Sequence, residues 1–332
     1  MRMISFDCVD KSYQIKETAE GIRNAFNAFF KPKYKTIQAV QDVSFKIDRS
    51  KTLGLIGENG AGKTTIIKLV CGILAPDAGH IEVLGMDPFQ KERDFKKRVS
   101  LLLGNKNQLW WDLPAHESFL ITKKLYGLSN SEYRASLEEL VDMLDVSDFI
   151  NSPIKNLSLG QRMRCELLNA LLYKPEVILL DEPTIGLDLK SQVIIRNHIQ
   201  KYVKNNNAAC IVTSHNIKDI TDMSTDVAIL HKGTLIHSSS TIDFLDICSG
   251  YAIIEIDGLS NPEIYEALKV DSYQHNDMRR VLIPASDTLP IMNSLVQHPK
   301  CKSVRILDAS VNDLVENKIL SIQCGGKENA GS

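Results

Sequence analysis

The sequence predicts an α/β fold: a mostly parallel sheet organised around a phosphate-binding loop, with an antiparallel β subdomain, an inserted helical subdomain and a small C-terminal α/β domain. Three observations predict it. Gly57-Glu58-Asn59-Gly60-Ala61-Gly62-Lys63-Thr64-Thr65 fits G-x-x-x-x-G-K-[ST], after the apolar run Leu53 to Ile56 and before the helically spaced Ile66, Ile67, Leu69 and Val70. Two further apolar runs, Val177 to Leu180 and Cys210 to Thr213, end in Asp181-Glu182 and Ser214-His215. Strand C-terminal ends are where open α/β sheets place their ligands. Between these two halves, from about residue 105 to 173, the texture turns helical.

Taken in order, residues 3–8 alternate apolar and polar and predict a strand. From Thr18 to Phe30, Ile22, Ala25, Phe26, Phe29 and Phe30 share one helical face, with Pro32 as a stop and Lys31, Lys33 and Lys35 around the end. Such an inserted amphipathic helix suits a membrane interface, a membrane subunit or packing on its own domain. Residues 42–47 predict a second strand. Pro76-Asp77-Ala78-Gly79 is a turn leading into a strand over 80–84, then a polar helix over 88–97 and a strand over 99–103. The helical block contains helices at 115–126, 131–145 and 160–173, exemplified by Leu137, Leu140, Val141 and Leu144. The β/α rhythm then returns with helices at 189–204 and 216–222 and strands at 226–231 and 234–237. Beyond about residue 240 follow strands at 252–256, 280–284 and 303–307 and helices at 261–269, 287–297 and 310–320. The tail, GGKENAGS, carries no structural signal and is expected to be disordered.

Bulk properties narrow the function. The 332 residues, 43% apolar and 24% charged, suit a globular protein of one large and one small domain. A net charge of −2 gives no sign of a nucleic-acid surface, and nucleic acid is not an expected partner. No apolar run approaches the roughly 20 residues of a membrane span, and the first residues lack the apolar core of a secretory signal. Seven cysteines form no C-x-x-C pair, which fits free thiols in a reducing cytoplasm.

The loop carries the chemistry. Its glycines let successive N–H groups point at one phosphate, Lys63 adds a point charge, Thr64 offers a hydroxyl to Mg²⁺, and the helix dipole favours the anion. The sequence therefore predicts a nucleoside triphosphate site.

Downstream, Leu157-Ser158-Leu159-Gly160-Gln161 precedes a helix, and Ile178-Leu179-Leu180-Asp181-Glu182-Pro183-Thr184 starts 20 residues after Ser158. Gly186-Leu187-Asp188 and His215 follow. In order and spacing, residues 1–240 resemble the nucleotide-binding subunit of ABC transporters. The resemblance implies ATP and Mg²⁺ as cofactors and the P-loop ABC ATPase fold. Asp181 suits a Mg²⁺-linked carboxylate, and Glu182 suits the base that polarises water for in-line attack. His215 resembles the family's switch histidine at the γ-phosphate, and Tyr13 its adenine-stacking aromatic. Ser158, Gly160 and Gln161 would complete the site of an opposing subunit, with Asp188 at that interface. One phosphate loop and one signature per chain imply pairing with a second copy.

Three departures stand out. Leu159 replaces the usual signature glycine, and Ile185 stands where a small residue is common. The family's glutamine linking Mg²⁺ and water to the helical subdomain falls on Asn105 when counted back from Asp112-Leu113, with Gln108 as the alternative. The GNKNQLWWDLP stretch and LSLGQRMR look like a bacterial exporter-type ATPase with separate integral membrane permease subunits. That implies a peripheral protein at the cytoplasmic face of the cell membrane. Trp110 and Trp111 are placed in the groove receiving the permease or in the helical subdomain's interior. The alternatives are an importer ATPase, a soluble non-transport ABC-type ATPase or a non-hydrolysing regulator.

Overall fold

The computed structural model describes residues 2–16, 34–90, 93–104, 106–268, 273–275, 278–309 and 313–314. The helix expected over 18–30, Asn105, the tail and all but residues 313–314 of the helix expected over 310–320 lie outside the described residues. The chain divides into two compact units, Met1–Ser238 and Ser239–Ser332.

In the first unit the elements run β1 (Arg2–Lys16), β2 (Tyr34–Asp48), β3 (Thr52–Ile56), α1 (Lys63–Val70), β4 (Ala78–Val83), α2 (Arg93–Arg98) and β5 (Val99–Leu103). Three helices follow, α3 (Ala115–Tyr126), α4 (Asn130–Leu144) and α5 (Leu159–Leu171). The unit closes with β6 (Val177–Asp181), α6 (Leu189–Asn205), β7 (Ala209–Ser214), α7 (Ile217–Met223), β8 (Asp226–His231) and β9 (Thr234–Ser240).

Two sheets share the core. A six-stranded sheet has the order β5-β6-β7-β3-β8-β9, its first five strands parallel. Strands buried on both faces read as unbroken apolar runs, and β3, β6 and β7 are buried at every position. The two-residue turn Lys232-Gly233, both at positive φ, folds β9 back beside β8. A three-stranded antiparallel sheet, β2-β1-β4, packs its apolar residues into the same core, where Phe6 stacks on Phe45 at 4.8 Å.

Most elements of this unit fall where the pattern places them, and three differ. Strands β1 and β2 are far longer than the runs 3–8 and 42–47, their ladder continuing to Lys16↔Tyr34. The added half is exposed along Tyr34–Gln38, so backbone pairing maintains it without an alternating apolar face. The helix expected over 88–97 is a 3-10 turn at Pro88–Gln90 followed by α2, with only Phe95 of α2 buried.

The helical block is set by capping boxes. Ser129 caps α4 reciprocally with Glu132, and Ser158 caps α5 reciprocally with Gln161. The second unit contains α8 (Thr241–Ser249), β10 (Tyr251–Asp257), α9 (Asn261–Leu268), β11 (Tyr273–His275), β12 (Met278–Pro284), α10 (Thr288–Val296) and β13 (Ser303–Asp308). After α8, the order β-α-β-β-α-β with an antiparallel sheet β11-β12-β10-β13 is the ferredoxin-like split βαβ arrangement. Ile254, Ile256, Val281, Ile283 and Leu295 form its core.

Candidate nucleotide site

Register places the site. Leu55 of β3 pairs with Thr213 of β7, which pairs with Asp181 of β6, which pairs with Leu103 of β5. The strand ends therefore bring the loop after β3, the acidic pair after β6 and His215 after β7 to one edge of the sheet. There a cavity of about 470 Å³ is lined by Tyr13, Glu58, Lys63, Thr64, Asp181, Glu182 and His215, with Ala39, Asn59, Gly60, Gly62, Thr65 and Ile185. Its volume suits a small-molecule ligand.

Glycine is required in the loop at identifiable places. Gly62, before α1, has φ 109°, and a Cβ there would lie 2.3 Å from the Ala39 carbonyl oxygen. Gly57 would press a Cβ to 2.5 Å from the Leu230 oxygen. Lys63 is buried, and its Nζ donates to the carbonyls of Gly57 at 2.6 Å and Glu58 at 3.2 Å. Burial lowers its pKa, while Glu182 and Asp181 oppose that shift. Thr64 Oγ1 donates to Asp181 Oδ2 at 2.9 Å. Hydroxyl plus carboxylate is the hard-oxygen donor set that Mg²⁺ favours, so these two residues fit the ion.

Thr213 was not legible as a site residue, because it lies inside an apolar strand. It is fully buried, donates its hydroxyl to Asp181 Oδ1 at 2.7 Å and accepts the Glu182 N–H at 3.1 Å. One side chain thereby fixes both acids. Glu182 adopts φ 54°, a left-handed conformation uncommon for a non-glycine residue. His215 Nδ1 lies 3.0 Å from Glu182 Oε2. Burial raises the Glu182 pKa, against the pull of His215 and Lys63. Gly104 approaches closely from β5: its N–H donates to Asp181 O at 2.8 Å, and a Cβ would lie 2.1 Å from Glu182 O.

The remaining expected site residues are distributed as follows. Tyr13 OH lies 3.4 Å from Thr65 Oγ1 at the cavity wall. Ser158, Gly160, Gln161 and Asp188 do not line this cavity. Ser158 is exposed, its Oγ accepting Gln161 N–H at 3.2 Å, while Gln161 Oε1 accepts Ser158 N–H at 2.9 Å. Gly160 is packed against α6, where a Cβ would lie 2.4 Å from Ser191 Oγ. Asp188 caps α6, accepting from Ser191 N–H at 3.0 Å and Oγ at 2.8 Å, which holds its pKa low. Gln108 turns away from the cavity, its Nε2 donating to the Leu101 carbonyl at 2.8 Å.

A family model described as ABC transporter matches residues 40–185. The chain is 34% identical over 208 residues to the ABC transporter ATP-binding protein NatA of Bacillus subtilis, covering 63% of this chain and 84% of that protein. It belongs to the ABC transporter ATP-binding proteins. It is also 30% identical to the linearmycin resistance ATP-binding protein LnrL of B. subtilis, over 72% of this chain and 73% of the relative. It is 30% identical to the energy-coupling factor transporter ATP-binding protein EcfA2 of Caldanaerobacter subterraneus, over 61% and 72%. The fold matches an ATP-binding cassette solved as a dimer with ADP and Pi, at TM-score 0.60 and 22% identity, over 72% of this chain and 99% of that one. This ABC protein is thus an ATPase subunit of a transporter. Among its described residues, no helix is long and apolar enough to cross a membrane.

Proposed function

We propose that two copies of this subunit close around two MgATP and drive export through separate membrane permease subunits. The observation that carries the reading is a division of the site. Lys63, Thr64, Asp181, Glu182 and His215 share one cavity, while Ser158 stands exposed outside it at the start of a 13-residue helix. A hydroxyl and helix N-terminus facing solvent suit a phosphate presented by another copy. Asp188 and the exposed Ile185 and Leu189 would lie at that contact.

In this reading Lys63 and the loop amides hold the outer phosphates, and Tyr13 packs against the base. Thr64 and Asp181 would hold Mg²⁺, which would supply countercharge to the phosphate oxygens. Glu182 accepts a proton from the attacking water, and His215 orients Glu182 while facing the γ-phosphate. Asn105 is assigned the link to the helical subdomain, since Gln108 bonds away from the cavity. Closure follows binding, and hydrolysis reopens the pair.

The permease is assigned a second cavity of about 470 Å³, lined by Ile73, Leu101, Trp110, Ile121, Leu125 and Tyr126 among others. Trp110 is 59% exposed there, an uncommon position for an indole. Trp111 does not line this groove. Placement at the cytoplasmic face of a bacterial membrane follows from that docking. The resistance function in LnrL's name supports export; EcfA2, named as a transporter ATP-binding protein without a direction, leaves import as the second reading.

Glu182→Gln tests the motor: ATP is retained, turnover is abolished and a dimer accumulates on a sizing column. Undiminished turnover sinks the assignment of Glu182. Reconstitution with the permease in inverted vesicles then separates the directions, since export fills such vesicles and import empties them.

A further inference from the structure

Helix α5 presents Ser158 at its start and grips a neighbouring segment further along. Arg162 and Glu166 are four residues apart and share one helical face. Both reach residues 108–111. Glu166 Oε1 accepts the backbone N–H of Gln108 at 2.9 Å and of Leu109 at 3.2 Å. The Arg162 guanidinium lies 5.7 Å from the centre of the Trp111 ring, within cation–π range.

Glu166 is an unusual residue for this place. It is 2% exposed, and its Oε2 is buried without a hydrogen-bond partner among the described residues. A buried carboxylate with an orphaned oxygen carries a standing cost, and an apolar residue would pack there without it. What the carboxylate supplies is the pair of bonds to the segment. That segment leaves β5 at Gly104, whose N–H is tied to Asp181 O at 2.8 Å. It reaches the groove wall at Trp110, whose N–H donates to Ser118 Oγ at 3.1 Å. It therefore connects the nucleotide edge of the sheet to the groove, and Glu166 fastens its middle to the helix of Ser158.

We propose that Glu166 is a positioning residue: through Gln108 and Leu109 it locks the groove-lining segment to the Ser158 helix, so that groove and serine move as one body. This rests on the reading of Ser158 as the half-site for an opposing copy. An occupant of the groove then displaces Ser158 directly, without passing through the Lys63 loop.

The chain carries two tryptophans, Trp110 and Trp111, so tryptophan fluorescence, excited selectively over tyrosine, reports from this segment alone. The test uses the full-length chain, MgATP and a fluorescent ATP analogue. Glu166→Leu fills the space but accepts no hydrogen bond; Glu166→Gln keeps an oxygen for the same two N–H groups. In the unsubstituted chain MgATP shifts the tryptophan emission. Glu166→Leu is expected to lose that shift and about tenfold in kcat, with KM and analogue affinity within about twofold, the scale of a broken coupling at an intact site. Glu166→Gln is expected to retain both.

A leucine variant with unchanged shift and kcat overturns the proposal, as does a glutamine variant impaired equally. If the leucine variant does not fold, Glu166→Asp, one methylene short of the segment, replaces it in both measurements. An unsubstituted chain that fails to bind the analogue sinks the proposed function itself. Intact binding and turnover with an inert Glu166 sink only this inference.

Discussion

The imidazole Nδ1 of His215 lies 3.0 Å from Oε2 of Glu182, so the proposed base has a partner before any substrate arrives. Burial pushes the Glu182 pKa up, and His215 is the first of the groups that pull it back. A base must be ionised to work, so turnover fails as pH falls through this raised pKa. The acid limb of kcat is expected above that of an exposed glutamate. Replacing His215 with alanine removes the pull, raises the pKa further and moves the limb to higher pH. It also costs about a hundredfold in kcat at neutral pH, the scale of acid–base assistance. A limb that stays in place, or moves to lower pH, contradicts the coupling.

The same shift has a consequence for stability, with the opposite benefit. A carboxyl whose folded pKa is raised stabilises the fold below its unfolded pKa, and that contribution is lost as pH rises through the folded value. At neutral pH the ionised Glu182 is therefore a burden, held in a left-handed backbone conformation as well. Glu182→Gln is expected to raise the melting temperature at pH 7, with the gain disappearing below the ordinary glutamate pKa. Melting curves for the two proteins across pH decide it; an equal gain at every pH sinks the electrostatic explanation.

Gly104 offers a way to move the base without touching it. A Cβ at that position would lie 2.1 Å from the backbone oxygen of Glu182 and 3.0 Å from that of Asp181. Backbone cannot swing aside as a flexible side chain can, so Gly104→Ala must shift the acidic turn. A displacement near 1 Å at a reacting group costs on the order of a hundredfold in rate. The alanine variant is expected to bind ATP within a fewfold of normal and to lose about that factor in kcat. Equal losses in binding and turnover would place the damage at the Lys63 loop instead.

The sequence disclosed the local parts of this arrangement and concealed the joints. The loop, the acidic pair and His215 were legible because each follows an apolar strand, and strand ends meet at one edge of a parallel sheet. Thr213 was hidden, since a threonine inside ACIVTS reads as a β-branched strand residue. Gly104 carried no site signal of its own, and only the proximity of β6 gives it a task. Glu166 sits on a helix read from its signature end, and its partners are 57 and 58 residues away. The outer halves of β1 and β2 lacked an apolar face to announce them. Short-range periodicity records burial, whereas these contacts arise from pairings far apart in the chain.

Asp219 is another such joint. On α7, it accepts Thr184 Oγ1 at 2.7 Å and Arg196 Nη1 at 2.5 Å, all three residues being buried. It binds the turn after Glu182 to α6 and to the helix that follows His215. Removing one partner of a buried pair costs about 3–5 kcal/mol, and Asp222, 3.4 Å from Arg196 Nε and more exposed, compensates that charge only in part. Asp219→Ala is expected to lose that much in urea denaturation and to lower turnover. A loss under about 1 kcal/mol would mean that water replaces the carboxylate, contrary to its 3% exposure.

Ser158 has two possible duties, and one substitution separates them. Its hydroxyl caps α5 through the Gln161 N–H at 3.2 Å, a bond whose loss costs about 1 kcal/mol. Asparagine caps helices as well as serine does, but it presents an amide where the hydroxyl would meet a phosphate. Ser158→Asn is therefore expected to melt within a degree or two of the unsubstituted chain. Its affinity for a fluorescent ATP analogue as a monomer is expected to be unchanged, because Ser158 lies outside the Lys63 cavity. ATP-driven dimerisation in a Glu182→Gln background, followed by light scattering, is expected to weaken at least tenfold. If dimerisation is untouched, the capping box is the serine's whole role. The division of the site between two copies would then lose its support.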